Sequence, residues 1–442
     1  NLLALARAGG VSRALVVTGY REGEVRRAVE SARRLPLPVR FVLNPSWQEG
    51  NGRSLLAARA DLEGEDRFLV LMADHVYEPG LIADFLQEAA RSGGPELMAV
   101  ETDPGRVRDL EDASKVRLRG QGAVEAVGKD LRAYEGVDCG LFLLSPAVFS
   151  HLEAACAAGQ GSLSAGLQRL AWGQGLRVHP VGGRYWFDVD TPADLERAER
   201  EILARLPSPS DGPVSRHLNR RLSIPLSRMF SKMGVSPTIL SGASAALAGL
   251  AGFLFAAGQP AWGGILAQAA SVLDGCDGEV ARLQGWEGRF GTFLDSLLDR
   301  LADGAILLGL GLYAYALAPR PATLALALLA LLAAPLSMMA KDRFALAFGR
   351  PYPANVLDDP ARWLMGGRDG RLFLIFLGGL LDLPRLALAL VAVSSLGLFL
   401  WRLAAAARLR EDLGDQPRSE APSRERAPAE RPSGGRPSSE RP

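Results

Sequence analysis

Hydrophobic and polar positions follow two different patterns along this chain. Up to about residue 205, short apolar runs alternate with segments of helical period. RALVVTGY (13–20), VRFVLN (39–44) and RFLVLMAD (67–74) predict strands, and LMAVETD and CGLFLLSP predict two more. REGEVRRAVESARRL and PAVFSHLEAA between them predict helices. Strands separated by helices predict an α/β domain with a mostly parallel sheet, whose ligands lie beyond the carboxyl ends of the strands. Asp74 stands at such an end.

Beyond residue 236 the pattern changes to long apolar runs of Ala, Leu and Gly. Crossing a bilayer takes about 20 apolar residues as a helix. Pro237–Ala257, Pro321–Ala340 and Leu386–Ala407 meet that length. Ala261–Leu273 and Gly304–Ala318 are the apolar halves of helices that continue into an acidic stretch, and Leu372–Leu381 is a shorter sixth. The expectation is an all-α, six-helix transmembrane domain over 237–408. Residues 206–236 join the halves: LPSPSDGP is a linker by composition, and 214–234 interleaves Leu218, Leu222, Leu226 and Met229 with Arg216, Arg221, Arg228 and Lys232. That is a basic amphipathic helix for a membrane surface, broken or kinked at Pro225. The Pro-, Ser-, Arg- and Glu-rich tail 409–442 has little to bury and is expected to be disordered.

Charge supplies the orientation. Lys341, Arg343, Arg350, Arg362, Arg368 and Arg371 crowd one inter-helix loop, whereas the opposite loops carry Arg320 and Arg385. The positive-inside rule then makes this a multi-pass protein of the cell membrane with both termini and the active sites cytoplasmic. A net charge of +1, without a basic stripe interleaved with aromatics, speaks against nucleic acid as a partner. Three scattered cysteines fit a reducing compartment and exclude a zinc framework.

The candidate chemistry is concentrated in LDGCDGEVARLQGWEGRFGTFLDSLLDR (273–300). An Asp at a span centre costs roughly 2.5–3.5 kcal/mol, so several of them call for a reason. Asp274, Asp277 and Ala281 lie along one helix face, and Asp295 and Asp299 share a face of the next. A short turn brings both faces to one membrane edge. Converging carboxylates suit hard divalent cations such as magnesium or manganese. Gly278 and Gly291 allow close approach of a substrate, and Arg282 offers a charge to a phosphate. Pairing of these acids with Arg282, Arg289 and Arg300 alone is the blander account, and it leaves the glycine spacing unexplained.

As a pattern the stretch reads D-x-x-D-G-x-x-A-R-x8-G-x-x-x-D-x-x-x-D, and it resembles the signature of the CDP-alcohol phosphotransferase family without departure. The resemblance implies two Mg2+ (or Mn2+) ions held by Asp274, Asp277, Asp295 and Asp299, with Asp299 also the catalytic base. It places Gly278, Ala281, Arg282 and Gly291 at the CDP site. NPSWQEGNGRSLLAA (44–58), LMADHVYEP (71–79) and WFDVDTPADLERAE (186–199) resemble the sugar-nucleotidyltransferase fold, an α/β Rossmann-like domain, here over 1–205. By that resemblance Gly50, Asn51, Gly52 and Ser54 meet the base, and Lys129 and Asp138 the substrate. Asp74 and Asp188 hold a metal, with Asp188 preferred to Asp190. That family's Gly-rich phosphate loop should precede residue 1, so the domain is expected to be N-terminally truncated.

The two domains in one chain resemble the bifunctional inositol-1-phosphate cytidylyltransferase/di-myo-inositol phosphate phosphate synthase family. Its implied substrates are CTP, CDP-inositol and inositol 1-phosphate, beside membrane lipid, and a homodimer is compatible. A phosphorylated acceptor needs cations near the metals, and Lys341, Arg343, Arg368 and Arg371 are the candidates, although each is equally accounted for as an orientation charge. Two rival readings stay open: a phospholipid synthase using CDP-diacylglycerol, and a first domain that serves only for docking or regulation.

Overall fold

A computed structural model describes all residues except 32–36, 93–95, 121, 174, 209–210, 285–287 and 410–442. The tail expected to be disordered therefore lies outside the described residues, apart from Leu409. The chain divides into two compact units, Asn1–Leu206 and Pro207–Pro442.

In the first unit the strands are β1 (Ala14–Thr18), β2 (Val39–Leu43), β3 (Phe68–Leu71), β4 (His75–Tyr77) and β5 (Glu96–Glu101). They continue with β6 (Lys115–Arg119), β7 (Ala123–Gly128), β8 (Gly136–Leu144), β9 (Leu176–Pro180) and β10 (Trp186–Asp188). Six form one sheet in the order β3-β8-β5-β9-β7-β6, while β1 and β2 pair in parallel and β4 and β10 antiparallel. The mostly parallel sheet expected from sequence is corrected here to a mixed one. β8 runs antiparallel to both β3 and β5, and β6 and β7 form a hairpin, so β5–β9 is the parallel pair within the six-stranded sheet. Apolar residues on the central strands are continuous rather than alternating because both faces are covered. Along β8, Cys139, Leu141 and Leu143 enter one apolar cluster with Leu81, Ile82 and Phe85, whereas Phe142 and Leu144 enter the other with Phe149, Leu152 and Leu167.

The second unit is helical. Its helices are α1 (Arg220–Lys232), α2 (Pro237–Ala256), α3 (Pro260–Gln284), α4 (Arg289–Leu317), α5 (Pro321–Phe348), α6 (Arg368–Leu380) and α7 (Pro384–Leu409). α2, α4, α5 and α7 are long and apolar enough to cross a membrane, which marks this unit as a membrane domain. The six segments expected to span fall on α2–α7, of which α3 and α6 are not among the helices long and apolar enough to cross. α3 is 25 residues long with acids in its second half, and α6 has 13 residues, about 20 Å of helix. The core among α2–α7 consists mainly of small residues (Ala248, Ala251, Ala267, Ala302, Ala330, Ala334), while Leu308, Leu328, Leu332 and Val393 face outward. Small residues let helix backbones approach where apolar side chains give no advantage over lipid. A Cβ on Gly309 would stand 1.9 Å from the carbonyl oxygen of Gly252, so α2 and α4 touch through their backbones.

α1 differs from the expected break at Pro225 and docks by a polar face that the sequence reading did not foresee. It runs unbroken through Pro225, at an exposed position, where the carbonyl that loses its helical partner belongs to exposed Arg221. Its inward face is polar as well. Ser223 and Ser227 are buried against α3, and Leu222, Leu226 and Met229 point outward.

Candidate active sites

Among the described residues two acidic sites are built, one in each unit. In the first, β3 ends just before Asp74, and the β4–β10 pairing sets His75 opposite Asp188. Ligand atoms of Asp74, His75 and Asp188 all lie within 4.8 Å of one another. His75 Nδ1 is 2.8 Å from the Cys139 carbonyl oxygen, and its Nε2 is 3.5 Å from Asp188 Oδ1. Burial raises the Asp188 carboxyl above its ordinary range, opposed by His75. The donor set of two carboxylates and an imidazole suits a divalent cation. His75 had no assigned role from the sequence, although its place next to Asp74 was the available signal.

The other expected residues of this unit are each held by a neighbouring backbone or side-chain group. Gly50 adopts φ +111°, and a Cβ there would meet the Gly161 carbonyl oxygen at 2.5 Å. Gly52 N–H donates to that carbonyl at 2.9 Å. Asn51 Oδ1 accepts from Leu163 N at 2.7 Å, at the start of the Leu163–Gly173 helix, and Ser54 Oγ accepts from Asn44 Nδ2 at 3.0 Å. Lys129 is exposed and pairs with Asp112 at 2.5 Å. Asp138 accepts from Gly140 N at 2.8 Å, and burial pushes its carboxyl up to about 6.

In the second unit, α3 presents Asp274 and Asp277, and α4 presents Asp295 and Asp299, as their helical spacing requires. Carboxylate oxygens of Asp274, Asp277 and Asp295 lie within 4.8 Å of one another. Ser241 Oγ of α2 donates to Asp277 Oδ2, and Gly278 N donates to Asp277 Oδ1, each at 2.5 Å. Asp295 Oδ1 is buried without a hydrogen-bond partner. Buried polar atoms are almost always satisfied, so an orphaned carboxylate oxygen facing two others fits a hard cation. Asp299 accepts from Arg368 Nη1 at 3.0 Å.

Gly278 is half-buried beside this cluster, with Ala281 on the same helix. Arg282 and Gly291 are exposed. Of the four expected acceptor cations, Arg368 alone contacts the aspartates, pairing with both Asp274 and Asp299. Arg371 is 1% exposed and is committed to Asp303 at 2.6 Å, so it is corrected from a phosphate ligand to an interior cation. Lys341 is half-buried and Arg343 exposed.

Known proteins resemble both units. Residues 235–366 match the CDP-alcohol phosphatidyltransferase family, and residues 1–183 match the MobA-like NTP transferase domain. Across both, the chain is 40% identical over 397 residues to the "Bifunctional IPC transferase and DIPP synthase" of Rubrobacter xylanophilus, covering 88% of this chain and 85% of that protein. Its counterpart in Thermococcus kodakarensis is 34% identical over 383 residues, covering 84% and 82%. The chain belongs to the bifunctional IPC transferase and DIPP synthase family. Its membrane unit is also similar to the phosphatidylinositol phosphate synthase of Mycolicibacterium smegmatis, 32% identical over 167 residues, which is 37% of this chain and 70% of that one.

Within this family member, several residues near the second site carry no motif signal. Glu279, at 0% exposure, accepts from Ser223 Oγ at 2.7 Å and Ser227 Oγ at 2.6 Å and pairs with Arg220. Arg220 also meets Asp211 at 2.8 Å. This polar core holds α1 against α3. Glu279 occupies a variable position of the signature, and Ser241 is 36 residues from its partner Asp277, so sequence spacing pointed to neither.

Proposed function

We propose that the first unit makes CDP-inositol from CTP and inositol 1-phosphate, and that the second joins CDP-inositol to another inositol 1-phosphate. The products are phosphorylated di-myo-inositol phosphate and CMP. The observation carrying this reading is the Asp274–Asp277–Asp295 cluster with the Arg368 guanidinium beside it. It combines a place for hard cations with a place for an anionic acceptor.

In this reading two Mg2+ or Mn2+ ions are held by Asp274, Asp277, Asp295 and Asp299. When bound they neutralise charge on the attacking and leaving oxygens. Asp299 takes the proton of the acceptor hydroxyl as that oxygen bonds to the inositol-bearing phosphorus. The bond from this phosphorus to the bridging oxygen breaks, and CMP leaves with the electron pair. Arg368 stabilises the ionised Asp299 and meets the acceptor phosphate, a charge-assisted contact worth roughly 1.5–3 kcal/mol. Gly278 and Ala281 present little bulk to the CDP moiety, and Arg282 and Gly291 lie at its outer edge. In the first unit Asp74 and Asp188 hold the metal of the cytidylyl transfer, with Lys129 and Asp138 towards the inositol phosphate. Both sites face the cytoplasm.

Product analysis tests the reading. Membranes carrying the full chain, given Mg2+, CDP-inositol and inositol 1-phosphate, should release CMP and form phosphorylated di-myo-inositol phosphate. Asp277→Asn, which keeps the side chain's shape but loses its charge, should abolish that product while the protein still inserts. Turnover of CDP-diacylglycerol in place of CDP-inositol would identify a lipid synthase instead.

A further inference from the structure

A chain of ionic contacts runs from the interior of the helix bundle to the aspartate cluster. It starts at Arg371, whose Nη1 donates to Ser337 Oγ at 3.1 Å and to the Gly366 carbonyl at 2.7 Å, while Nη2 donates to Asp303 Oδ2 at 2.6 Å. The other oxygen of Asp303 accepts from Arg368 Nε at 3.1 Å. Arg368 Nη1 in turn meets Asp274 and Asp299. Asp303 is 6% exposed and follows Asp299 by one turn on α4, and Arg368 and Arg371 are one turn apart on α6. Each helix therefore contributes two groups to one line, in which Asp303 touches both arginines.

The chemistry of the guanidinium explains why that matters. An arginine side chain is rich in rotamers, and its fork recognises a phosphate only when its plane is fixed. Asp303 grips the Nε edge, which leaves the Nη end directed at the carboxylates. Without Asp303, two arginines would face each other across one helical turn with no carboxylate between them.

We propose that Asp303 is a positioning residue. Standing on the buried, hydrogen-bonded Arg371, it holds the Arg368 guanidinium between Asp274 and Asp299, where Arg368 meets the phosphate of the acceptor. The phosphate part rests on the reading under Proposed function. A cation placed there also competes with a divalent metal for Asp274 and Asp299, which makes the placement measurable without turnover.

The test uses the full chain in detergent micelles. Asp303→Asn and Arg368→Ala should each raise the acceptor KM about tenfold and leave the CDP-inositol KM within twofold. The double variant should be no worse than Arg368→Ala, because Asp303 acts through Arg368. Additive rises would overturn the proposal. Breaking one partner of a buried pair is strongly destabilising, so Asp303→Asn/Arg371→Met, which removes both charges together, is made in parallel. It should show the same rise in acceptor KM; an unchanged acceptor KM in this variant would also overturn the proposal. The second readout is Mn2+ titration by electron paramagnetic resonance with no substrate present. Arg368→Ala should bind Mn2+ several-fold more tightly than wild type. Asp303→Asn should alter Mn2+ affinity with Arg368 present and leave it within twofold in the Arg368→Ala background. Equal changes in both backgrounds would refute positioning. A wild-type protein that fails to turn over inositol 1-phosphate would defeat the functional reading, while the Mn2+ titration would still decide the role of Asp303.

Discussion

At the scale of single residues, burial decides which carboxylates carry an energetic load. Asp138 sits on β8, retains partial exposure as a residue, and has its carboxylate shielded from water with one backbone donor, Gly140 N. Desolvation outweighs that donor and the pull of His75 and pushes the carboxyl up to about 6. An acid whose native pKa exceeds its unfolded value of about 3.9 binds its proton more tightly when folded. The unit should therefore gain stability as pH falls from about 6 to 4, and lose it as pH rises through the same window. A shift of this size corresponds to about 3 kcal/mol. Asp138→Asn, which keeps an acceptor for Gly140, should flatten that slope and stabilise the unit at pH 7. Pulse proteolysis of the full chain in urea, with chelator present, at pH 4.5, 5.5 and 7 measures it. A slope that persists in the Asn variant would place its origin elsewhere.

At the scale of elements, α1 is organised by its minority of buried polar groups. A surface helix normally buries its apolar stripe, yet here Ser223, Ser227 and Arg220 converge on Glu279 while Leu222 and Met229 face outward. Both observations agree if the outward stripe meets lipid and the polar stripe is the docking face. Removing one partner of such a buried pair costs about 3–5 kcal/mol, since the remaining charge is left uncompensated. Arg220→Ala should therefore release α1 from α3, exposing 214–234 to protease while α2–α7 stay inserted. Glu279→Gln should do the same more mildly, since the amide still accepts from the serines. Protection equal to wild type in both variants would mean that the apolar stripe alone holds α1 in place.

At the scale of the whole molecule, four helices among the described residues are long and apolar enough to cross a membrane, and the loop charges give an expected orientation that labelling can test. Positions 320 and 350 are both exposed, the first between α4 and α5 and the second just after α5. In a background with Cys139, Cys156 and Cys276 replaced, a membrane-impermeant thiol reagent added outside intact cells should modify a cysteine at 320 and spare one at 350. The reverse pattern would invert the topology and with it the cytoplasmic placement of the sites.

What could be read from the amino-acid order alone is what depends on local periodicity. Helical spacing puts Asp274 with Asp277, and Asp295 with Asp299, before any contact is known. Apolar runs likewise mark β1, β2, β3, β5 and β8, and the apolar parts of α2–α7. Contacts between distant segments left no such trace. The antiparallel insertion of β8 between β3 and β5 depends on pairing across 70–76 residues to β3 and 36–46 to β5, and apolar strands look alike in either direction. Arg368 and Arg371 are equivalent as loop cations in sequence, and only the packing of α6 against α3 and α7, which brings its arginines within reach of α4, sends one to the aspartate cluster and the other into the interior with Asp303. Packing of α2 and α1 on α3 sets Ser241 on Asp277 and Glu279 on α1. Buried charge selects its partners by desolvation and geometry, and those arise only when the helices are assembled.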